Sequence, residues 1–213
     1  KSRFSSGQVL ALLCAVIWGE TFISTKVLLE YLSPLQILFS RFLLGYFAFG
    51  AFTRIGQKNG AKAQWLFALA GFTGTFLYFW MENVALKYTT VSNFGVLVSV
   101  APFFTAAVSR IENPNLKLSL QFFVGSGLSF LGVLLLVFEE NKSLTINPLG
   151  DSLSVGGFNL AVYSVVIKKL AVYQAPILVS TRTIFGYGLI FIFAALLLTD
   201  ELLSSTSLTK TEV

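Results

Sequence analysis

KVLLEYLSPLQILFSRFLLGY, residues 26–46, has a second version later in the chain: KKLAVYQAPILVSTRTIFGY, residues 168–187. Lys26, Leu28, Tyr31 and Pro34 match Lys168, Leu170, Tyr173 and Pro176 at one constant offset. After a single deletion, Arg41, Gly45 and Tyr46 match Arg182, Gly186 and Tyr187. Apolar hairpins share Leu and Gly by chance. Lys, Pro and an Arg-x-x-x-Gly-Tyr run are not apolar filler, so a true repeat is the better reading.

The surroundings say what kind of repeat it is. Of 213 residues, 55% are hydrophobic and 12% charged, with mean hydropathy +0.77. A soluble domain of this size needs far more charge to cover its surface. The apolar residues fall in blocks at 8–29, 34–53, 64–84, 91–109, 119–138, 150–167 and 176–199. Each is long enough to cross about 30 Å of hydrocarbon at about 1.5 Å per residue. Short connections with turn signals such as Ser33-Pro34, Asn113-Pro114 and Asn147-Pro148 join them. The expectation is an all-α membrane protein, a polytopic helical bundle of about seven spans. A transmembrane β-barrel would show short alternating strands instead.

Basic residues set the direction. Lys1, Arg3, Arg54, Lys58, Lys62, Arg110, Lys117, Lys168 and Lys169 fall on the amino-terminal side. Near its span ends and loops the other side carries only Lys26, Lys87 and Lys142, and it collects Glu30, Glu139, Glu140, Asp151, Asp200 and Glu201. The positive-inside rule then places the amino terminus in the cytoplasm of a cell whose plasma or inner membrane holds the chain. The repeat unit covers spans one to five, an odd number, so its second copy enters the membrane from the opposite side. The domain reading is a first repeat over 1–145, a partial inverted repeat over 146–199 and a polar tail over 200–213. With two of five helices present in the second copy, ten spans are expected of a complete pair.

Composition also excludes. Cys14 is the single cysteine and histidine is absent, which removes an internal disulfide and the commonest metal ligand and general base. The formal charge of +5 is accounted for by basic loops at a membrane and not by nucleic acid. No paired carboxylates at metal-ligand spacing, nucleophile elbow or phosphate-binding glycine loop is present, so neither enzyme chemistry nor a cofactor is expected.

Several segments carry a family likeness: AVIWGETFISTK with SPLQILFSR (15–41), ALKYTTVSNFGVLVSVAPFFTA (85–106), LQFFVGSGLSFLGVLL (120–135) and DSLSVGGFNLAVYSVVIKKL (151–170). In order and spacing they resemble the EamA-type branch of the drug/metabolite transporter superfamily. That resemblance implies ten helices around a central cavity lined by both halves, and a small organic solute such as an amino acid as cargo. Two positions depart from its pattern. Asn115 stands where a Glu is common, and Asn159 falls where a Trp-Ala pair is common.

Intramembrane charge points to the site. Glu20 lies about 13 Å from the outer face along span one, and Arg41 about 10–12 Å deep on span two, counting about 1.5 Å per residue. An isolated charge there costs from about 3 to over 10 kcal/mol. Glu20 is therefore expected to border an aqueous cavity with Arg41 offsetting its charge. A structural ion pair locking the two helices and a protonated, proton-coupling Glu20 are the alternatives. Glu82 shares a helix face with Tyr78, Thr75 and Gly71; a cavity role and a rim charge reaching water weigh equally. Trp18 and Tyr163 stack on a flat substrate in one reading and serve as packing or interface anchors in the other. Pro102 predicts a kink in span four, and Gly125, Ser129 and Gly132 a close-packing stripe within the chain or across a homodimer. The substrate-binding set is thus Trp18, Glu20, Arg41, Tyr78, Glu82 and Tyr163. The expected function is a secondary transporter working by alternating access, with a small molecule and the bilayer as partners and a proton as a candidate coupling ion. A seven-helix receptor or sensor is the alternative.

Overall fold

The structure is a computed structural model that describes residues 6–53, 60–112, 115, 119–139 and 157–201. The boundary near 145, the tail from 202 onward, and Lys1, Arg3, Arg54, Lys58 and Lys117 lie outside those residues. Among the described residues every regular element is helical: α1 (Ser6–Leu28), α2 (Pro34–Phe52), α3 (Ala61–Ala70), a π-helical turn (Gly71–Leu77), α4 (Tyr78–Tyr88), α5 (Val91–Val98), α6 (Ala101–Glu112), α7 (Leu120–Glu139), α8 (Gly157–Ala171) and α9 (Ile177–Leu198). Four stretches among the described residues are long and apolar enough to cross a membrane, namely Gly7–Leu28, Pro34–Phe52, Val91–Ile111 and Ile177–Leu198. The continuous helical run from α3 to α4, α7 and α8 occupy the other expected positions. The protein is a multi-pass helical membrane protein.

Local chemistry sets the boundaries. Ser33 and Gln36 form a reciprocal capping box at the start of α2, and Pro34 stands at the first helical position, where its missing N–H costs nothing. Thr90 caps α5 through Asn93 N. Pro102 denies Val98 its α-helical donor, and the helix breaks between α5 and α6 with short-range Val100 N to Leu97 O and Phe103 N to Val100 O bonds. The expected kink is there.

The core forms where α2 meets α9. Leu35 and Leu38, early in α2, pack with Ile192 and Leu196, late in α9. Late in α2, Gly50 lies against the Arg182 guanidinium, early in α9. The two helices therefore run antiparallel. Between these ends, Phe42 meets Phe185 edge-on with centroids 4.8 Å apart.

The span from α3 through α4 crosses α9 at the π turn. A Cβ on Gly71 would come within 2.8 Å of the Gly188 backbone N and the Ile184 backbone O. Glycine is required at both sides of that crossing, because a Cβ on Gly188 would sit 2.3 Å from Thr75 Cγ2. Helix α8 covers the same turn. Asn159 Nδ2 donates to Thr73 O at 2.6 Å, and the Tyr163 ring lies directly over Gly74. Asn159 thus satisfies a carbonyl of the π turn, a role suited to an amide.

Helix α1 is nearly bare. Over residues 7–28 only Thr25 is buried. The α7 stripe is bare too: a Cβ on Gly125 or Gly132 would meet nothing within 4 Å. Close packing of that stripe within the described chain is not found.

Candidate functional site

Helices α1, α2, α4 and α9 line an open cleft of about 350 Å³. Helix α1 supplies Trp18 and Thr21, with Cys14 and Ile17 on the same stripe; α2 supplies Arg41 and Phe42, α4 Phe79 and α9 Phe185. Arg41 is the cleft's charged lining residue. Its guanidinium carbon sits 4.8 Å from the Phe79 ring centroid and 6.0 Å from that of Phe42. Such stacking leaves the planar edge of the guanidinium, with its N–H donors, for other partners.

Behind Arg41 lies its counter-charge. Arg41 Nη2 is 3.7 Å from Glu82 Oε1, and the Glu82 side chain is 0% exposed against 29% for Arg41. At that length the contact is an ion pair and not a hydrogen bond. Tyr78 lies beside the carboxylate, one turn earlier on α4. Yet the Tyr78 hydroxyl, both Glu82 carboxylate oxygens and Asn83 Oδ1 complete no hydrogen bond among the described residues. Arg41 Nη1 donates a long 3.4 Å bond to Thr25 Oγ1. A buried carboxylate with one ionic partner is a high-energy arrangement, stable only while that partner stays.

The structure places Arg41 beside Glu82 and gives it no ion pair with Glu20. Glu20 is exposed. The α1 stripe facing the cleft runs through Cys14, Trp18, Thr21 and Thr25, and at about 100° per residue Glu20 stands roughly 120° round from it. Depth alone put the two charges level; azimuth separates them. Glu82 takes the place assigned to Glu20, and its rim reading fails on its burial. Trp18 lines the cleft mouth and contacts Phe22 with centroids 5.8 Å apart. Tyr78 joins Glu82 behind Arg41. Tyr163 belongs to a different neighbourhood, packed on the π turn among Phe67, Val166 and Ile184. Sequence reasoning passed over Thr25 and Phe79. Phe79 precedes Glu82 by three residues, a same-face spacing that would have marked it.

Polar clamps fix the elements around the cleft. Lys26 Nζ donates to Leu86 O and to Thr89 O at 2.9 Å, joining α1 to the carboxy-terminal end of α4, where a cation is favoured. Asn83 Nδ2 donates to Pro34 O at 3.0 Å and ties α4 to the start of α2. Gln36 Nε2 donates to Glu201 O at 2.7 Å, tying the start of α2 to the end of α9. At the opposite end Arg182 closes α2: its Nη1 donates to Thr53 O at 2.8 Å, and its carbon lies 4.8 Å from the Tyr46 ring centroid. Lys168 Nζ donates to Ser109 Oγ at 3.1 Å. Arg182 thus has protein partners, and the snorkelling reading is not needed.

A cleft of this kind between membrane helices invites comparison with known proteins. Residues 5–138 match the EamA-like transporter family. The chain belongs to that family. Among its relatives, an "Uncharacterized transporter" of Archaeoglobus fulgidus is 34% identical over 200 residues, covering 88% of this chain and 66% of the relative. The "Uncharacterized transporter YdfC" of Bacillus subtilis is 26% identical, over 82% of this chain and 53% of its own length. The "Uncharacterized inner membrane transporter YhbE" of Escherichia coli is 31% identical, over 48% of this chain and 34% of its own length. This EamA-like chain thus spans less than two thirds of the curated relatives it matches. No solved structure matches it. The family and the relatives' names point to a membrane transporter.

Proposed function

We propose that this protein is a secondary transporter that exports a small organic metabolite bearing a carboxylate, such as an amino acid or another organic acid, by alternating access. Its amino terminus is cytoplasmic on the charge bias of its loops. The observation that carries the reading is the Arg41–Glu82 pair at 3.7 Å at the base of the cleft. A charge pair within membrane-spanning helices is costly and is a functional site by default. One member opens to the cleft while the other is sealed, so the pair holds charge in reserve for a ligand.

The antiparallel α2 and α9, which carry the matching Arg-x-x-x-Gly-Tyr runs, support two inverted halves. In such carriers the substrate site lies between the halves near mid-membrane, and the cleft draws its walls from α1, α2 and α4 of the first half and α9 of the second.

The test is efflux of a labelled panel of amino acids and related metabolites from cells making the full-length protein. Arg41→Gln and Glu82→Gln are expected to lower efflux of the cargo at least tenfold at equal membrane abundance. Gly127→Ala, facing open space, should leave efflux unchanged. Wild-type rates for every solute in both site variants would overturn the assignment.

A further inference from the structure

We infer that the cleft takes an organic monocarboxylate lacking an ammonium group, whose carboxylate replaces Glu82 on Arg41 while Glu82 takes up one proton. The inference rests on the transporter reading for its biological use, though not for its chemistry.

Three features lead there. Among the described residues the accessible charge of the cleft is a single cation, Arg41. Among the described residues no carboxylate lines the cleft to receive an ammonium: Glu20 stands off the lining stripe and Glu82 is sealed. The Thr21 hydroxyl gives its one donor to Trp18 O at 2.6 Å, which leaves none for a second carboxylate contact. What remains is one guanidinium fork surrounded by Trp18, Phe42, Phe79 and Phe185, which fits a small amphipathic acid with a flat or branched apolar body. A cavity of about 350 Å³ suits a molecule of benzoate or phenylacetate size.

The fork has capacity to spare. Arg41 carries five N–H donors, and its contacts to Thr25 and Glu82 are long, at 3.4 and 3.7 Å. A carboxylate arriving from the cleft can form the two short parallel bonds that Glu82 does not reach. Guanidinium and Glu82 together are neutral before binding. Afterwards the guanidinium and the incoming carboxylate are neutral, and Glu82 is left without a counter-charge.

Other groups near Glu82 cannot replace Arg41. The π turn and α5 bring no titratable side chain. Helix α1 brings Lys26, engaged with the carbonyls of Leu86 and Thr89, and the exposed Glu20. On α4 itself stand Tyr78, a neighbour but not a cation, and the exposed Lys87 and Tyr88 at the far end. A buried carboxylate stripped of its only cation neutralises by binding a proton. The balance is one anion and one proton entering together, an electroneutral step.

Calorimetry tests this on the purified full-length protein in lipid nanodiscs. Benzoate and phenylacetate are titrated in two buffers of different ionisation enthalpy, between about pH 6 and 8, where neither probe changes its own charge. Expected are one proton taken up per acid bound, and affinity falling tenfold per pH unit where the empty site is ion-paired. Phenylalanine and benzamide should bind at least tenfold more weakly. Glu82→Gln should bind benzoate with no proton uptake and no pH slope, and Arg41→Gln should not bind it. Should Glu82→Gln fail to fold, the proton count on the wild-type protein decides alone. No proton uptake, no binding of either acid, or phenylalanine binding as well as benzoate overturns the inference. Arg41-dependent efflux of amino acids alongside such a failure leaves the transporter reading standing. Proton-linked benzoate binding without flux does the reverse.

Discussion

Removing Arg41 and removing Glu82 should not cost the same, and the difference comes from exposure. Arg41→Met strands a carboxylate with a 0% exposed side chain and no hydrogen-bond partner among the described residues. Breaking a buried pair from that side costs about 3–5 kcal/mol. Glu82→Gln strands a guanidinium that is 29% exposed to the cleft and rests on Phe79. Its loss should be about 1–2 kcal/mol, the scale of a partnered polar group that can still find water. The double variant removes both charges and should lie within about 1 kcal/mol of wild type. The implied coupling is about 4–7 kcal/mol when the double variant matches wild type. Coulomb attraction at 3.7 Å gives about 4 kcal/mol with an effective dielectric of about 20. Reversible unfolding in mixed micelles titrated with SDS, read by circular dichroism on all four proteins, yields the double-mutant cycle. Additive single effects, within about 0.5 kcal/mol, would refute a direct pair. Equal single effects would refute the argument from exposure.

Two further variants probe the frame. Gly71→Ala puts a methyl 2.8 Å from backbone atoms of Gly188 and Ile184; backbone cannot rotate aside as a side chain can, so a loss of about 1–3 kcal/mol is expected. The same change at Gly127 meets open space and should be neutral or gain up to about 1 kcal/mol from helix propensity, both read as thermal unfolding midpoints. Lys26→Met deletes the donor to Leu86 O and Thr89 O at a cost of about 1–3 kcal/mol, and hydrogen exchange should rise at the carboxy-terminal end of α1 before it rises in α2.

The helices were legible because a bilayer demands long apolar runs, and that demand is written in composition. Ser33-Pro34 and Pro102 also announced their boundaries, since capping and proline chemistry act locally. The site was half legible. Arg41, Glu82, Tyr78 and Trp18 stood out as polar or aromatic residues at depth; the structure brings Arg41 and Trp18 to one cleft and seals Glu82 and Tyr78 behind Arg41. Their pairing was hidden, because hydropathy reports depth along a helix and not rotation about it. Glu20 and Arg41 share a depth yet face different ways. Nor did the sequence announce the π turn: GFTGTFL carries no motif that distinguishes a widened turn from an ordinary one. Its cause is tertiary, in the crossing of Gly71 with Gly188 and the covering Tyr163 and Asn159.

That widened turn acts on the helix beyond it. A π turn absorbs one extra residue without passing the usual rotation of about 100° to the rest of the helix. Everything carboxy-terminal to Leu77 is therefore aimed by it, including the edge of α4 that carries Glu82 toward Arg41 and Asn83 toward Pro34. A single-codon deletion between residues 71 and 77 would leave a well-formed helical span of nearly unchanged composition whose acidic group has swung off target. In this protein the alignment of the charges is set a turn away from them, by a residue count and not by residue identity.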